Sequence, residues 1–246
     1  IFFTKRPCRL IFLQPRQKTM NNTFFVRITT IKQVLAQATK RIPLIDARML
    51  LSFVCGREIE YLIAHENDPL SIKQFFLFRR LVSKRKKGIP VAYLTAEKSF
   101  FGHSFFVNKH TLIPRPDTEV LIETMLRDLA SAHQRGMPLT VVDIGTGSGC
   151  IAISLATELK NKGKAAKIIA SDRSKKALQV AQKNALAHNV QITFVDGSLL
   201  KPHREHIETL KNSSLFIAAN LPYLTKEQTE DEPSIRYEPR LALFGG

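Results

Sequence analysis

Asn220-Leu221-Pro222-Tyr223 closes the apolar run Leu215-Phe216-Ile217-Ala218-Ala219, and this tetrapeptide holds the parts for one kind of chemistry. At a strand's C-terminal end it places a side-chain carbonyl, outward-pointing backbone carbonyls and an aromatic face in one cleft. Such a cleft suits a flat, weakly nucleophilic NH2 group, because acceptors hold its two hydrogens while the ring covers its face. Upstream, Val141-Val142-Asp143-Ile144-Gly145-Thr146-Gly147-Ser148-Gly149 reads as a strand running into a glycine-rich turn. Glycines let a ligand approach the backbone closely, and the helix that follows offers free N–H groups to an anion. A glycine-rich turn alone is shared by many nucleotide-binding sheets.

Two acids narrow the ligand. Asp172 ends the second strand and Asp196 the third, with Asn220 at the end of the fourth, each 24 residues from the last. The first carboxylate can accept from a ribose's vicinal hydroxyls and the second from an adenine amino group. Charge-assisted bonds of this kind contribute about 1.5–3 kcal/mol each. Either acid alone could merely begin a turn; their regular placement at one sheet edge favours a nucleoside site. A dinucleotide dehydrogenase has no use for Asn-x-Pro-Tyr. Methyl transfer to an amide or exocyclic amine does: the lone pair is delocalised, acceptors orient the N–H bonds, and Tyr223 attracts the cationic transition state.

The elements that must position these groups alternate from Leu139 onward. Strands are expected at Thr140–Ile144, Lys167–Ser171, Gln191–Val195 and Leu215–Ala219. Helices are expected at Cys150–Leu159, Ser174–His188 and Arg204–Leu210. Short apolar strands separated by helices mean crossovers and a parallel sheet. The expected fold is therefore α/β, a Rossmann-like domain over 113–246, and four strands leave such a sheet short, so a C-terminal truncation is expected.

In front lies a small helical bundle, residues 20–90. Its first helix carries Ile31, Val34, Leu35, Ala38 and Ile42 on one face, capped by Thr29 or Thr30. Asp46 is read as the cap of a second helix bearing Met49, Leu50, Phe53 and Val54, stopped by Gly56. A third covers Ile59–His65, and Ser71 opens a fourth with Ile72, Phe75, Phe76 and Leu81 inward. Residues 91–112 read as a β-hairpin linker turning at Gly102-His103. Two prolines in Ile113-Pro114-Arg115-Pro116-Asp117-Thr118-Glu119 fix an extended segment, and Asp117 or Thr118 can cap the next helix. Residues 1–19, basic and free of acids, read as a leader or non-native extension, or else as an organellar presequence.

Composition excludes several classes. Three Cys without a CxxC pair argue against a disulfide framework or a zinc site, and no metal is expected; His203 and His206 read as a solvated helix face. No apolar run is long enough to span a bilayer. Residues 1–100 hold 19 Lys/Arg against 6 Asp/Glu, whereas residues 101–246 hold 18 against 15. This basic front half, with Lys84-Arg85-Lys86-Lys87 at a helix end, fits an acidic partner such as RNA or a ribosome-associated protein, or else a solubilising surface.

At the glycine turn, the proline segment and Asn220–Tyr223, the chain resembles the HemK-type protein glutamine methyltransferases, which modify peptide-chain release factors. The resemblance runs from about Thr29 to Gly246 and includes Ala92-Tyr93-Leu94 to Phe100. It implies a class I methyltransferase fold and S-adenosyl-L-methionine as cofactor; a cytoplasmic monomer is expected, or an organellar-matrix protein if residues 1–19 are a presequence. The implied cofactor site is Gly145, Thr146, Gly147, Ser148, Gly149, Asp172, Asp196, Gly197 and Asn220. The implied catalytic residues are Asn220, Pro222 and Tyr223, with Leu221 and Arg115 also at the substrate. The implied substrate is the Gly-Gly-Gln glutamine of class 1 release factors; direct nucleic-acid binding is not required. The family usually has Asn-Pro-Pro-Tyr, and Leu221 keeps the backbone carbonyl that the second residue supplies. An adenine-N6 DNA or RNA methyltransferase, a ribosomal-protein glutamine methyltransferase and a non-catalytic ribosome- or RNA-binding protein remain alternatives.

Overall fold

The structure, a computed structural model, describes residues 29–134, 136–203, 214–225 and 235–245. Expectations for residues 1–19, for a helix at 204–210 and for His206 lie outside these residues.

The front of the chain folds as helices α1 (Ile31–Ala38), α2 (Leu44–Cys55), α3 (Ile59–Ala64), α4 (Ile72–Lys86) and α5 (Val91–Thr95). Thr30 and Ser71 each form a capping box with the glutamine three residues on, Gln33 and Gln74, so both N-terminal signals work as expected. Gly56 ends α2 in the left-handed region, φ 62°. Asp46 does not cap α2, which begins two residues earlier behind Pro43; its carboxylate takes Arg85 Nε at 2.7 Å and ties α2 to the end of α4. The core is made by Leu50, Leu51, Leu62 and Phe78 with α1 residues around them. Truncating one such leucine to Ala costs about 2–5 kcal/mol.

Periodicity misplaced two faces. Met49 and Phe53 of α2, and Ile72 and Phe76 of α4, are exposed, while Ala47, Leu51, Phe78 and Val82 are buried in their stead. Both helices carry apolar residues on more than one side, so spacing alone could not choose which side faces α1. The short helix α5 also replaces the start of the expected hairpin, ending at Ala96 with φ 58°. The hairpin itself pairs β1 (Glu97–Phe100) with β2 (His103–Phe106) through Phe101-Gly102. Both turn residues have positive φ, 48° and 73°, the signature of a type I′ turn, one residue earlier than the sequence predicts.

A 3-10 turn at Pro116–Thr118 leads into α6 (Glu119–Gln134). The sheet follows: β3 (Leu139–Ile144), α7 (Cys150–Asn161), β4 (Lys167–Asp172), α8 (Lys175–Ala187), β5 (Thr193–Asp196) and β6 (Ser214–Ala219). Its order is β5-β4-β3-β6, all parallel, as the alternation predicts. β3 is buried at every residue. Its Val141 faces the main core with Ile122, Leu129, Ile153 and Leu155, and Val142 and Ile144 face a smaller cluster with Ile169. After β5 the chain crosses to the far side of β3. That reversal opens a crevice at the carboxyl ends of β3 and β6. A last short helix, α9 (Arg240–Leu243), returns beside the loop after β6, where Leu224 bridges Phe244. Among the described residues no helix is long and apolar enough to cross a membrane.

Candidate active site

Register aligns the strand ends. Ile144 pairs with Ser171 and Ala219, and Asp172 pairs with Asp196, so the glycine turn, both acids and Asn220 all leave the sheet at one edge. The turn is held from below: Gly145 N and Thr146 N both donate to Ser171 O at 2.9 Å. Gly149 has φ 83°, and a Cβ there would lie 2.8 Å from Ile153 Cδ1 and 3.1 Å from Ala181 Cβ. Only glycine fits where α7 packs on α8.

Asp172 does more than face a ligand. Its Oδ2 accepts from Gly147 N at 2.9 Å and its Oδ1 from Ser174 N at 2.8 Å, so it links the glycine turn to the start of α8. Each carboxylate oxygen still has a lone pair for an outside donor. Asp196 is half-exposed, with Lys175 Nζ 3.4 Å away.

A cavity of about 410 Å³ opens over this edge, lined among others by Gly145, Gly147, Asp172, Gly197, Asn220 and Leu221. Its volume lies in the range that receives a cofactor-sized molecule. Thr146, Ser148, Gly149 and Asp196, expected at the same site, are not among its lining residues. Thr146 Oγ1 instead donates to Asp143 Oδ2 at 2.6 Å, and Ser148 is buried with its carbonyl accepting from Asn184 Nδ2. These residues shape the turn from within.

On the other side of Asn220-Leu221 lies a second cavity, about 550 Å³, lined by Arg115, Thr118, Asn220, Leu221, Tyr223 and Leu243 among others. Asn220 and Leu221 therefore form a wall shared by both cavities. Leu221 reaches back over the glycine turn, its Cδ2 3.5 Å from where a Gly145 Cβ would stand. Tyr223 is 75% exposed at the rim and Pro222 lines the first cavity. Arg115, expected at the substrate, is gripped by Glu238: Nη2 donates to Oε1 at 2.6 Å. Glu238 Oε2 also accepts from Ile113 N at 3.0 Å. Thr118 does not serve as a helix cap; its Oγ1 accepts from Asn220 Nδ2 at 3.1 Å.

Sequence reasoning missed four residues that build this site. Asp143 is fully buried, and burial pushes its carboxyl up to about 6, Asp172 adding to the rise while Thr146 and Ala152 N oppose it. A lone acid in a strand otherwise free of charge was the available signal. Asn184 clips α8 to the hairpin, its Oδ1 accepting from Phe106 N and its Nδ2 donating to Phe106 O. Glu238 and Thr118 gave no local signal, since their partners lie more than 100 residues away. His203, read as solvated, is buried instead, with Nε2 2.7 Å from Ser171 Oγ under the glycine turn. Cys150 is buried too, which pushes its thiol up to about 12 and removes it as a nucleophile.

Residues 28–95 match the model of the PrmC N-terminal domain, and residues 137–217 match a methyltransferase domain model. The release factor glutamine methyltransferase of Chlorobaculum tepidum is 38% identical over 82% of this chain and 68% of its own length. That of Bordetella pertussis is 35% identical over 88% of this chain and 75% of its own. The bifunctional methyltransferase of Rickettsia conorii is 34% identical over 87% of this chain. The chain spans 45% of the length of that relative.

Proposed function

This chain belongs to the release factor glutamine methyltransferase family, and from that premise we propose that it methylates the side-chain amide nitrogen of the Gly-Gly-Gln glutamine in class 1 peptide-chain release factors, with S-adenosylmethionine as donor. The observation that carries the reading is the shared wall. Asn220 and Leu221 stand between a cavity floored by the glycine turn and Asp172 and a second one that opens beside Tyr223.

The first cavity fits the donor. Gly145 and Gly147 leave room above the turn, Asp172 keeps acceptor capacity for ribose hydroxyls, and Gly197 lines the side where an adenine would lie. Asp196, half-exposed beside that edge, is the acceptor for the adenine amino group. The donor, when bound, supplies an electrophilic methyl on a sulfonium sulfur.

The chain's own part is binding and orientation. The Asn220 side-chain oxygen accepts one N–H of the substrate amide, and backbone carbonyls at Leu221 and Pro222 accept the other. Held this way, the nitrogen points its face through the wall, and the Tyr223 ring stacks on the planar amide. With a donor held over Gly145, Gly147 and Asp172, methyl transfer from its sulfonium would leave a surplus proton on the nitrogen to be lost afterwards, so no strong base is needed first. The helical domain of α1 to α5 engages the release factor, and Arg115 frames the substrate cavity. The enzyme then works where termination occurs, in the cytoplasm or an organellar matrix.

Methyl transfer with labelled donor tests this, offering release factor, ribosomal protein and DNA side by side. Label should enter the release factor, and Asn220→Ala should lower turnover about 10²–10³-fold while donor affinity falls only modestly. Preferential labelling of ribosomal protein or DNA would overturn the substrate assignment, and near wild-type turnover in Asn220→Ala would overturn the role given to that residue.

A further inference from the structure

A side-chain amide at the open end of a strand has a broad, soft terminal torsion, and nothing in β6 itself fixes it. The fixing contact comes from Thr118, 102 residues away, whose Oγ1 accepts from Asn220 Nδ2 at 3.1 Å. We infer that Thr118 is a positioning residue, which pins the Asn220 amide in the plane from which it meets the reacting nitrogen. This inference rests on the proposed role of Asn220.

Three observations carry it. Thr118 is itself placed rigidly: it closes a 3-10 turn begun by Pro116, with its N–H donating to Arg115 O at 3.1 Å. Arg115 is in turn held by Glu238, which also anchors Ile113 N, so the segment is braced at two points. Second, the hydroxyl is not spent on the helix that follows; among the described residues its hydrogen bond is the one to Asn220. Third, Thr118 and Asn220 line the same 550 Å³ cavity, so the contact lies in the wall of the site rather than behind it. A bond that merely tied α6 to β6 would serve equally well anywhere along those elements. Here it falls on the one amide that faces both cavities.

The expected consequence is kinetic. Without its partner the amide samples orientations in which the acceptor misses the substrate, and a misplacement of about 1 Å can cost on the order of 100-fold. The test uses the full chain in four forms beside wild type: Thr118→Val, Thr118→Ser, Asn220→Ala and the Thr118→Val/Asn220→Ala double variant. Single-turnover rates on a Gly-Gly-Gln release factor are read with donor affinity by calorimetry. Thr118→Val should slow methyl transfer about 10- to 100-fold at saturating substrate, with donor affinity within about twofold. Thr118→Ser, which keeps the acceptor, should stay within about threefold of wild type. In the Asn220→Ala background Thr118→Val should change nothing further, because the residue acts only through Asn220.

Near wild-type turnover in Thr118→Val beside an inactive Asn220→Ala overturns the inference and leaves the proposed function standing. Equal slowing in Thr118→Ser, or added slowing in the double variant, also overturns it. Full activity in Asn220→Ala removes the proposed role of Asn220 and the inference together, whereas absence of release-factor methylation by wild type removes the proposed function. Should Thr118→Val fail to fold, Thr118→Ala takes its place in the same cycle and decides by the same outcomes.

Discussion

Glu238→Ala isolates the brace on which the substrate wall depends. The Glu238 side chain is 1% exposed and holds two donors, Ile113 N at 3.0 Å and Arg115 Nη2 at 2.6 Å. Removing it leaves the Ile113 amide, at a residue 6% exposed, without an acceptor, which costs about 1–3 kcal/mol. The Arg115 side chain is 38% exposed, so water replaces most of what it loses and its share is discounted to about 1 kcal/mol. Together the segment 113–118 should be destabilised by about 2–4 kcal/mol. Glu238→Gln keeps one oxygen for Ile113 but replaces the acceptor of the partly exposed Arg115 with an NH2 donor, so about 1 kcal/mol is expected. Global unfolding of a two-domain chain mixes unlike transitions, so the assay is amide hydrogen exchange at Ile113 with Leu50 of α2 as reference. Exchange at Ile113 should accelerate about 30- to 700-fold in Glu238→Ala and about fivefold in Glu238→Gln, with Leu50 unchanged. Unaltered protection at Ile113 in Glu238→Ala would refute the brace, and equal acceleration at Leu50 would show the loss to be global.

Other expectations follow from the same geometry. Asp172→Ala should weaken S-adenosylmethionine binding about 10- to 150-fold and loosen Gly147, which loses its acceptor; unchanged affinity by calorimetry on the full chain would refute the ribose assignment. Asp143, its carboxyl raised from 3.8 to about 6, contributes stability that is fully present below pH 3.8 and is lost as pH rises through about 6. The melting temperature of wild type relative to Asp143→Asn should therefore rise as pH is lowered from 7.5 to 5, and a constant difference across that window would contradict the upward shift of the buried carboxyl. Lys84, Lys86 and Lys87 are the cations to neutralise in testing steering by the basic domain, since Arg85 is committed to Asp46. The triple change should lower the association rate and its salt dependence, and an equal loss at saturating substrate would show that steering is not their role.

The sheet was legible because β3, β4, β5 and β6 are short apolar runs with helical periodicity between them, and burial on both faces demands that composition. The edge that carries the candidate site was legible for the same reason: strand ends collect polar groups, and Asp172 and Asn220 do line one cavity there. What the sequence concealed is whatever depends on pairing across the chain. Nothing near Glu238 announces Ile113 or Arg115, and nothing near Thr118 announces Asn220. Thr118 even carries a misleading signal, since a threonine before a helix reads as its cap. Local patterns also cannot rank two apolar faces of one helix, which is why Phe53 and Phe76 were assigned inward although both are exposed.

The far-apart pairing has a meaning for how the molecule comes into being. A growing chain that has reached Phe194 already owns the glycine turn, Asp172 and the strands beneath them. It has no Asn220, and no carboxylate to draw Ile113 and Arg115 into place. Closing loops of more than 100 residues is a late and slow event compared with the local helices in front. The site wall therefore waits until Asn220 and Glu238 dock on a segment laid down over 100 residues before. A copy that has not yet reached Asn220 and Glu238 is a fold with a floor and no wall above it.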